Sequence, residues 1–155
     1  MRSNTLSVSR VIDAPPMRVW QAWTDPETIA EWWGPEGFTT TTREFSLTVG
    51  GYWRFTMHGP DGTDYPNVIH FTQVEPGRLL AWDQWGEGDF ADFHHKSVVS
   101  FIAREDQRTE VVLTSVLPSA ERLEELIRDF GAEKGAHDTL RRLDEVVGTL
   151  AQGSQ

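Results

Sequence analysis

The sequence predicts an α+β fold in which a seven-stranded, curved antiparallel sheet surrounds one long C-terminal helix. Three observations predict it. Apolar residues alternate with polar ones through most of residues 38–117, and turn residues interrupt this pattern at regular intervals. Apolar residues recur at steps of three and four over residues 132–150, as in an amphipathic helix. Two short helical segments follow the first strand, so helices can cover one face of the sheet.

The first strand is predicted over residues 6–12, where Leu6, Val8 and Ile12 lie on one side. A short helix over residues 17–23 follows two prolines, the second of which suits a first helical turn. A second short helix is capped by Thr24 or Asp25 and has Pro26 in its first turn. These two helices are expected between the first and second strands.

Six further strands are predicted from the alternation and its turn signals: residues 39–45, 51–58, 67–75, 78–85, 95–104 and 109–117. Pro60-Asp61-Gly62 and Pro76-Gly77 are tight turns between neighbours, which favours sequential antiparallel pairing. Residues 86–92 are acidic and contain two glycines, so we expect a loop beside the rim of the sheet.

The C-terminal part predicts two helices rather than one. Ser119 suits the N-cap of a helix over residues 120–130, and Gly131 suits its C-terminal end. The apolar stripe of the following helix starts with small residues and ends with bulky ones: Ala132, Gly135, Ala136, Leu140, Leu143, Val147 and Leu150. Its first half should therefore leave space above the sheet. The opposite face, which includes Arg141 and Arg142, is expected to be solvated.

Composition narrows the classes of function. A chain of 155 residues with 38% hydrophobic content predicts a single domain, residues 1–155, with a core from 6 to 150. The net charge of −10 argues against nucleic acid and anionic membranes as partners. No apolar run is long enough to span a membrane, and residues 1–5 lack a signal-peptide core, so we expect a cytoplasmic protein. The absence of cysteine excludes disulfides, thiol catalysis and thiolate metal sites.

Several short motifs occur along the chain in the same order as in a known protein family. They are Val11-Ile12-Asp13-Ala14-Pro15 with Val19-Trp20, Glu31-Trp32-Trp33-Gly34-Pro35, Val49-Gly50-Gly51, Gly59-Pro60-Asp61-Gly62-Thr63, Pro76-Gly77-Arg78-Leu79, and Lys134-Gly135 with Thr139-Leu140-Arg141-Arg142-Leu143. Together they resemble the domain named for the activator of the heat-shock-protein-90 ATPase. That domain belongs to the SRPBCC superfamily of START and birch-pollen-allergen-like helix-grip folds. The resemblance covers about Leu6 to Leu150.

The resemblance implies a helix-grip fold with a cavity between the sheet and the last helix. Relatives bind lipids, polyketides, hormones and other apolar small molecules there, and a minority are cyclases. Many relatives carry an aromatic residue where Ala136 stands, so the cavity is expected to be larger or more open in this chain.

In such a fold, a set of mostly apolar residues is expected to line the cavity: Trp20, Trp33, Trp53, Phe55, Met57, His70, Phe71, Trp82, Phe101, Ala136 and Leu140. Apolar walls with a few polar groups are typical of a small-molecule pocket. The alternative is that the rings simply fill the core.

The sequence predicts neither a catalytic set of residues nor a metal or cofactor site. His94 and His95 are adjacent and would point to opposite faces of a strand, so they cannot jointly hold a metal ion. The other histidines are isolated and are expected to be surface or hydrogen-bonded residues, except His70, which lies mid-strand among apolar neighbours and is kept as a candidate. Asp83 and Glu44 are the strand carboxylates that could act as an acid or base, and both favour an outward position.

The leading hypothesis is a binding module for an apolar or aromatic small molecule. The alternative is a cyclase, hydratase or hydrolase that uses the same cavity, which would require His70, Asp83 or Tyr65 to reach it. A third hypothesis is a chaperone co-factor, as the family name suggests. The family's activators have a separate N-terminal domain, for which 155 residues leave no room.

Overall fold

The alternating segments form one seven-stranded antiparallel sheet in the computed structural model, which describes residues 3–88 and 94–153. The strands are β1 (Thr5–Ile12), β2 (Thr39–Phe45), β3 (Tyr52–His58), β4 (Asp64–Glu75), β5 (Leu79–Gly86), β6 (His94–Arg104) and β7 (Arg108–Val116). They are ordered β1-β7-β6-β5-β4-β3-β2, so the first strand pairs with the last and the others pair in sequence. The predicted fold class is confirmed.

Most strand limits agree with the prediction to within one residue, but β4 begins three residues earlier than expected. Asp64 and Tyr65 pair with His58 and Met57, which extends the β3–β4 hairpin to its turn. Register shifts at Thr42/Glu44 and at Phe71/Gln73 mark irregularities in β2 and β4. Such bulges bend a strand and increase its twist, which helps the sheet to curve. Of the loop predicted over residues 86–92, the part from 89 onwards lies outside the described residues.

Two short helices, α1 (Pro16–Thr24) and α2 (Pro26–Trp32), follow β1 as predicted. Asp25 is the cap of α2, because its carboxylate accepts a hydrogen bond of 3.0 Å from the backbone N–H of Glu27. The Thr24 hydroxyl instead donates to the carbonyl oxygen of Trp20 at 2.9 Å.

The C-terminal part forms α3 (Ala120–Phe130) and α4 (Ala132–Gly153). Ser119 caps α3 by accepting a hydrogen bond of 3.0 Å from the backbone N–H of Arg122. Gly131 adopts the left-handed conformation, with φ of 62°, and ends α3. The predicted break between two helices is therefore present. Across residues 3–88 and 94–153, none of the helices is both long and apolar enough to cross a membrane.

The core lies between the inner face of the sheet and the layer formed by α1, α2 and α4. Leu140, Leu143 and Val147 of α4 are at most 1% exposed, so the predicted stripe is the buried face of this helix. Trp23 and Trp32 pack edge to face against each other, with ring centroids 4.7 Å apart. These large rings fill the end of the core that α1 and α2 cover.

The prediction that Arg142 lies on a solvated face of α4 is wrong, because its side chain is bonded to backbone carbonyls. Its Nη1 donates to the carbonyl oxygens of Trp33, Gly34 and Pro35 at 3.2, 2.9 and 2.9 Å, and its Nη2 donates to those of Glu31 and Phe38 at 3.0 and 3.1 Å. These carbonyls lie at the C-terminal end of α2 and in the loop after it. The guanidinium therefore fastens this loop to α4.

We expect Leu143→Ala to lower the free energy of unfolding by about 2–5 kcal/mol, because the substitution opens a cavity at a fully buried position. Glu145→Ala, two residues along the helix on an exposed side chain, is the control and should change stability by less than about 1 kcal/mol. Urea unfolding followed by circular dichroism measures both. A loss below about 1 kcal/mol for Leu143→Ala would contradict the assigned packing face.

Gly131 and Gly148 form a matched pair for the break between α3 and α4. A Cβ atom at either position would meet nothing within 4 Å, so the two differ in backbone conformation rather than in available space. Gly131→Ala should destabilise by about 1–2 kcal/mol, because an L-residue is strained in the left-handed region. Gly148→Ala lies within α4 and should stabilise by about 0.5–1 kcal/mol. Stabilisation by both substitutions, measured by thermal melts, would indicate one continuous helix.

Candidate functional site

An open space of two adjoining chambers lies between the inner face of the sheet and the junction of α3 with α4. The inner chamber, with a volume of about 320 Å³, is lined by residues of the sheet, the loop after α2 and the start of α4: Trp33, Gly34, Pro35, Met57, Trp82, Gln84, His95, Ser97, Leu113, Ser115, Phe130, Gly131, Ala132, Gly135 and Thr139. The outer chamber, of about 260 Å³, is lined by Pro35, Phe38, Met57, Tyr65, Asn67, His94, His95, Leu117, Leu126 and Phe130. Four residues line both chambers, so the two spaces are neighbours.

Only some of the predicted lining residues reach these chambers. Trp33, Met57 and Trp82 line the inner chamber. Trp53 and Phe71 instead help to enclose a void of about 10 Å³, which is the space of about one water molecule.

The remaining rings of the predicted set, and Leu140, belong to the packed core. Trp20, Phe55, Phe101 and Leu140 are at most 5% exposed and do not line either chamber. The rings fill the core below α1 and α2, and the open space lies at the other end, beside α3 and the start of α4.

His70 is a correction to the predicted lining, because it lies on the outer face of the sheet. It pairs across β3–β4 with Tyr52 and stacks on it, with ring centroids 4.8 Å apart. Tyr52 precedes the buried Trp53, and successive residues of a strand point to opposite faces. His70 therefore points away from both chambers.

Ala136 is the second correction. It is half-buried and packs against the hydrophobic core, whereas the chamber is lined by the earlier Ala132 and Gly135 and by Thr139. Residues 132, 135 and 139 follow one another at helical spacing on one face of α4. Position 136 lies one turn after Ala132, where the apolar stripe of α4 packs on the core. The small residues that leave space are thus Ala132 and Gly135.

Sequence reasoning missed the polar groups of the inner chamber. The hydroxyls of Ser97 and Ser115 lie 2.9 Å apart in a hydrogen bond between β6 and β7. Gln84 accepts a bond of 3.1 Å from Trp82 Nε1 and donates one of 3.3 Å to Asn67 Oδ1. The strand alternation could have found them, since Gln84 shares a face with Trp82, and Ser97 shares one with Phe101.

His95 also faces the chambers, on the same side of β6 as Ser97. Burial lowers its pKa from 6.5 to about 4, and the neighbouring His94 adds a smaller lowering effect. The imidazole is therefore uncharged at neutral pH. In this state one ring nitrogen donates a hydrogen bond and the other accepts one.

The groups considered for acid–base chemistry lie mainly elsewhere. Asp83 forms an ion pair of 3.1 Å with Lys96, and Glu44 lies 3.6 Å from Arg54. Neither carboxylate lines a chamber, whereas Tyr65 lines the outer one. Among residues 3–88 and 94–153, no group of three or more potential ligands is arranged to hold a metal ion.

A hydrogen-bonded chain of hydroxyl, imidazole and carboxylate occurs on the outer face of the sheet. Thr41 Oγ1 lies 2.8 Å from His58 Nε2, and His58 Nδ1 lies 2.7 Å from Asp64 Oδ1. The order of groups matches that of a hydrolytic triad. Thr41 and Asp64 are exposed, His58 is partly exposed, and none of the three lines either chamber, so this group faces solvent. His58 is thus a hydrogen-bonded surface histidine, as expected.

Comparisons with known proteins agree with this architecture. The family model described as "Activator of Hsp90 ATPase homolog 1-like protein" matches residues 13–148. No curated protein matches the chain at a significant level.

Several solved structures are similar to this chain along nearly its whole length. A protein from Arthrobacter aurescens is 27% identical, with a TM-score of 0.86 over 95% of this chain and 87% of its own. A protein from Mycobacterium smegmatis is 26% identical, with a TM-score of 0.81 over 93% and 90%. A protein from Nitrosomonas europaea is 21% identical, with a TM-score of 0.83 over 96% of both chains. These likenesses establish the helix-grip fold.

We expect the free energy of unfolding to fall between pH 6.5 and 4, and His95→Gln to remove part of this fall. Unfolded His95 binds a proton near pH 6.5, whereas the folded side chain stays neutral down to about 4, so the unfolded state binds more protons and acid favours it. Urea unfolding across this range measures the difference.

The control for this prediction is His94→Gln, at the exposed neighbouring position. It should leave most of the lowering of the His95 pKa in place, because burial is the larger cause. Titration of the imidazole signals by NMR reports the pKa directly. A midpoint for His95 at or above its usual 6.5 would contradict the buried, uncharged state.

Proposed function

The chain belongs to the Activator of Hsp90 ATPase homolog 1-like family, and from this premise we propose that it is a binding module for an apolar or aromatic small molecule. The ligand occupies the inner and outer chambers between the sheet and the α3–α4 junction. The observation that carries the proposal is the inner chamber itself. Its volume of about 320 Å³ falls at the lower end of the range of about 300–1,000 Å³ for small-molecule pockets.

The chemistry of the walls supports this proposal. Trp33, Met57 and Trp82 supply large apolar surfaces, while Gln84 and Ser97 supply hydrogen-bonding groups that are at most 9% exposed. A few buried polar groups in an otherwise apolar wall orient a ligand and provide specificity. The family resemblance adds that relatives hold apolar molecules between the sheet and the last helix.

The hydrogen-bond partners of the polar side chains favour ligand binding over covalent catalysis. A serine nucleophile needs a base within hydrogen-bond reach of its hydroxyl. In the described part of the chain, the partner of Ser97 is the hydroxyl of Ser115, which is not a base at neutral pH. We therefore place ligand binding ahead of a hydrolase or cyclase.

We expect the protein to bind phenylnaphthylamine, an uncharged apolar fluorophore, with a rise in probe emission and quenching of tryptophan emission. The quenching follows because Trp33 and Trp82 line the inner chamber. Ala132→Trp should weaken binding about tenfold or more, because the indole occupies the chamber at the start of α4. A tenfold loss of affinity corresponds to about 1.4 kcal/mol of binding free energy.

The matched control is Glu133→Trp, which adds the same ring one residue along α4 at an exposed position. It should bind the probe as the wild type does, and thermal melts should show that both variants fold. Equal loss in both variants, or no binding by the wild type, would contradict the proposed site. Native mass spectrometry of freshly purified protein gives a second readout, since a co-purified small molecule adds its mass to the folded chain.

A further inference from the structure

The polar side chains that the structure describes in the inner chamber are all uncharged at neutral pH. Its polar side chains are Gln84, His95, Ser97, Ser115 and Thr139, and its described lining contains no Lys, Arg, Asp or Glu. Gln84, Ser97 and Thr139 are 9, 6 and 7% exposed, so they lie well inside the protein. Any ligand group that reaches them meets dipoles rather than ions.

The bonds among these groups leave hydrogen-bonding capacity for a ligand. Ser97 and Ser115 share one hydroxyl proton between them, which leaves the second proton and several lone pairs for another partner. The Thr139 hydroxyl donates to the carbonyl oxygen of Gly135 at 2.8 Å and can still accept a bond. Together these groups can pair with a ligand hydroxyl, which donates and accepts, or with a ligand carbonyl, which only accepts.

A charged ligand group would find no counter-ion among these residues. Transfer of an ionised carboxylate from water into an apolar site is very costly unless it is paired. Arg142 lies on α4, but its guanidinium already donates to the carbonyls of the loop after α2. The net charge of −10 further disfavours anions.

The helix ends beside the chamber do not supply a net positive field. α3 ends at Phe130, α4 begins at Ala132, and both residues line the chamber. The negative end of one helix dipole therefore meets the positive end of the other at Gly131. Their effects on a ligand at this junction largely oppose each other.

We propose that the inner chamber selects uncharged ligands in which a hydroxyl or carbonyl group is carried on an apolar ring system. The polar group lies at the Ser97–Ser115 pair, and the apolar body extends into the outer chamber past Phe130. This inference rests on the proposed function, because it specifies the ligand class of the same site. The chamber is expected to exclude carboxylates of the same size, including those of fatty and aromatic acids.

The experiment compares naphthalene probes that differ only in their polar group. Isothermal titration at neutral pH uses naphthalene, naphthol, acetylnaphthalene and naphthoate. We expect naphthol and acetylnaphthalene to bind more tightly than naphthalene, and naphthoate to bind at least about tenfold more weakly than naphthol. Tighter binding of naphthoate than of naphthol would overturn the inference, while the proposed binding function would stand.

The double variant Ser97→Ala with Ser115→Ala tests the position of the polar group. It should lower the affinity for naphthol about two- to tenfold, the effect of one neutral hydrogen bond, and leave naphthalene unchanged. Ser7→Ala with Thr114→Val is the matched control, because it removes a similar hydroxyl pair between β1 and β7 on the outer face, where the oxygens lie 3.0 Å apart. If the inner double variant does not fold, Ser97→Ala alone serves. Equal effects on naphthol and naphthalene would contradict the assigned position.

Ala132→Lys tests why the carboxylate is excluded. It places an ammonium group at the rim of the inner chamber and should raise the affinity for naphthoate relative to naphthol. An unchanged ratio would show that the absence of a cation is not the cause of the selectivity. If none of the four probes binds the wild type, the proposed function fails, and this inference fails with it.

Discussion

The arrangement of α2, α4 and the site depends on the hydrogen bonds that the Arg142 guanidinium donates to backbone carbonyls. The last turn of a helix leaves its carbonyl groups without intrahelical partners, and its C-terminal end carries a partial negative charge. Arg142 meets both needs at the end of α2, because its two terminal nitrogens donate to five carbonyl oxygens between Glu31 and Phe38. Hydrogen bonds from a charged donor are stronger than neutral ones, so this one side chain fixes a segment that has no strand or helix of its own.

The same interaction determines the width of the inner chamber. One wall is the loop of Trp33, Gly34 and Pro35, and the facing wall is the first part of α4. A Cβ atom at Gly135 would lie 3.3 Å from Pro35 Cγ, so the loop approaches the helix closely where the helix has no side chain. Arg142, which lies two turns after Gly135 on α4 and outside the chamber, holds these two walls together. The opposite side is less constrained, since Phe130 at the end of α3 is 57% exposed. The space is therefore bordered by a hydrogen-bonded loop towards α2 and is open towards α3.

The sequence predicted the fold well because its local signals agree with one another. Alternation, tight turns and caps are each encoded within a few residues, and they placed every strand and the break at Gly131. The role of Arg142 could not be predicted in this way. An arginine on the polar face of an amphipathic helix has the same pattern whether it is solvated or bonded to a distant loop. The position of the open space is also non-local, since it depends on how far the rings of α1 and α2 fill the core.

The wrong placement of His70 in the predicted lining follows from strand geometry that the sequence does contain. His70 and Phe71 are neighbours in one strand, so they cannot both face the same side of the sheet. Val68 and Ile69 are both apolar and both at most 2% exposed, so hydrophobicity alone leaves the inward face of β4 undecided. The pairing of Trp53 with Ile69 decides it, and this register is a property of two strands rather than one. The same rule applied from Phe101 along β6 leads to Val99, Ser97 and His95. The inward positions of Ser97 and His95 can therefore be predicted from the buried Phe101 and the two-residue period of a strand.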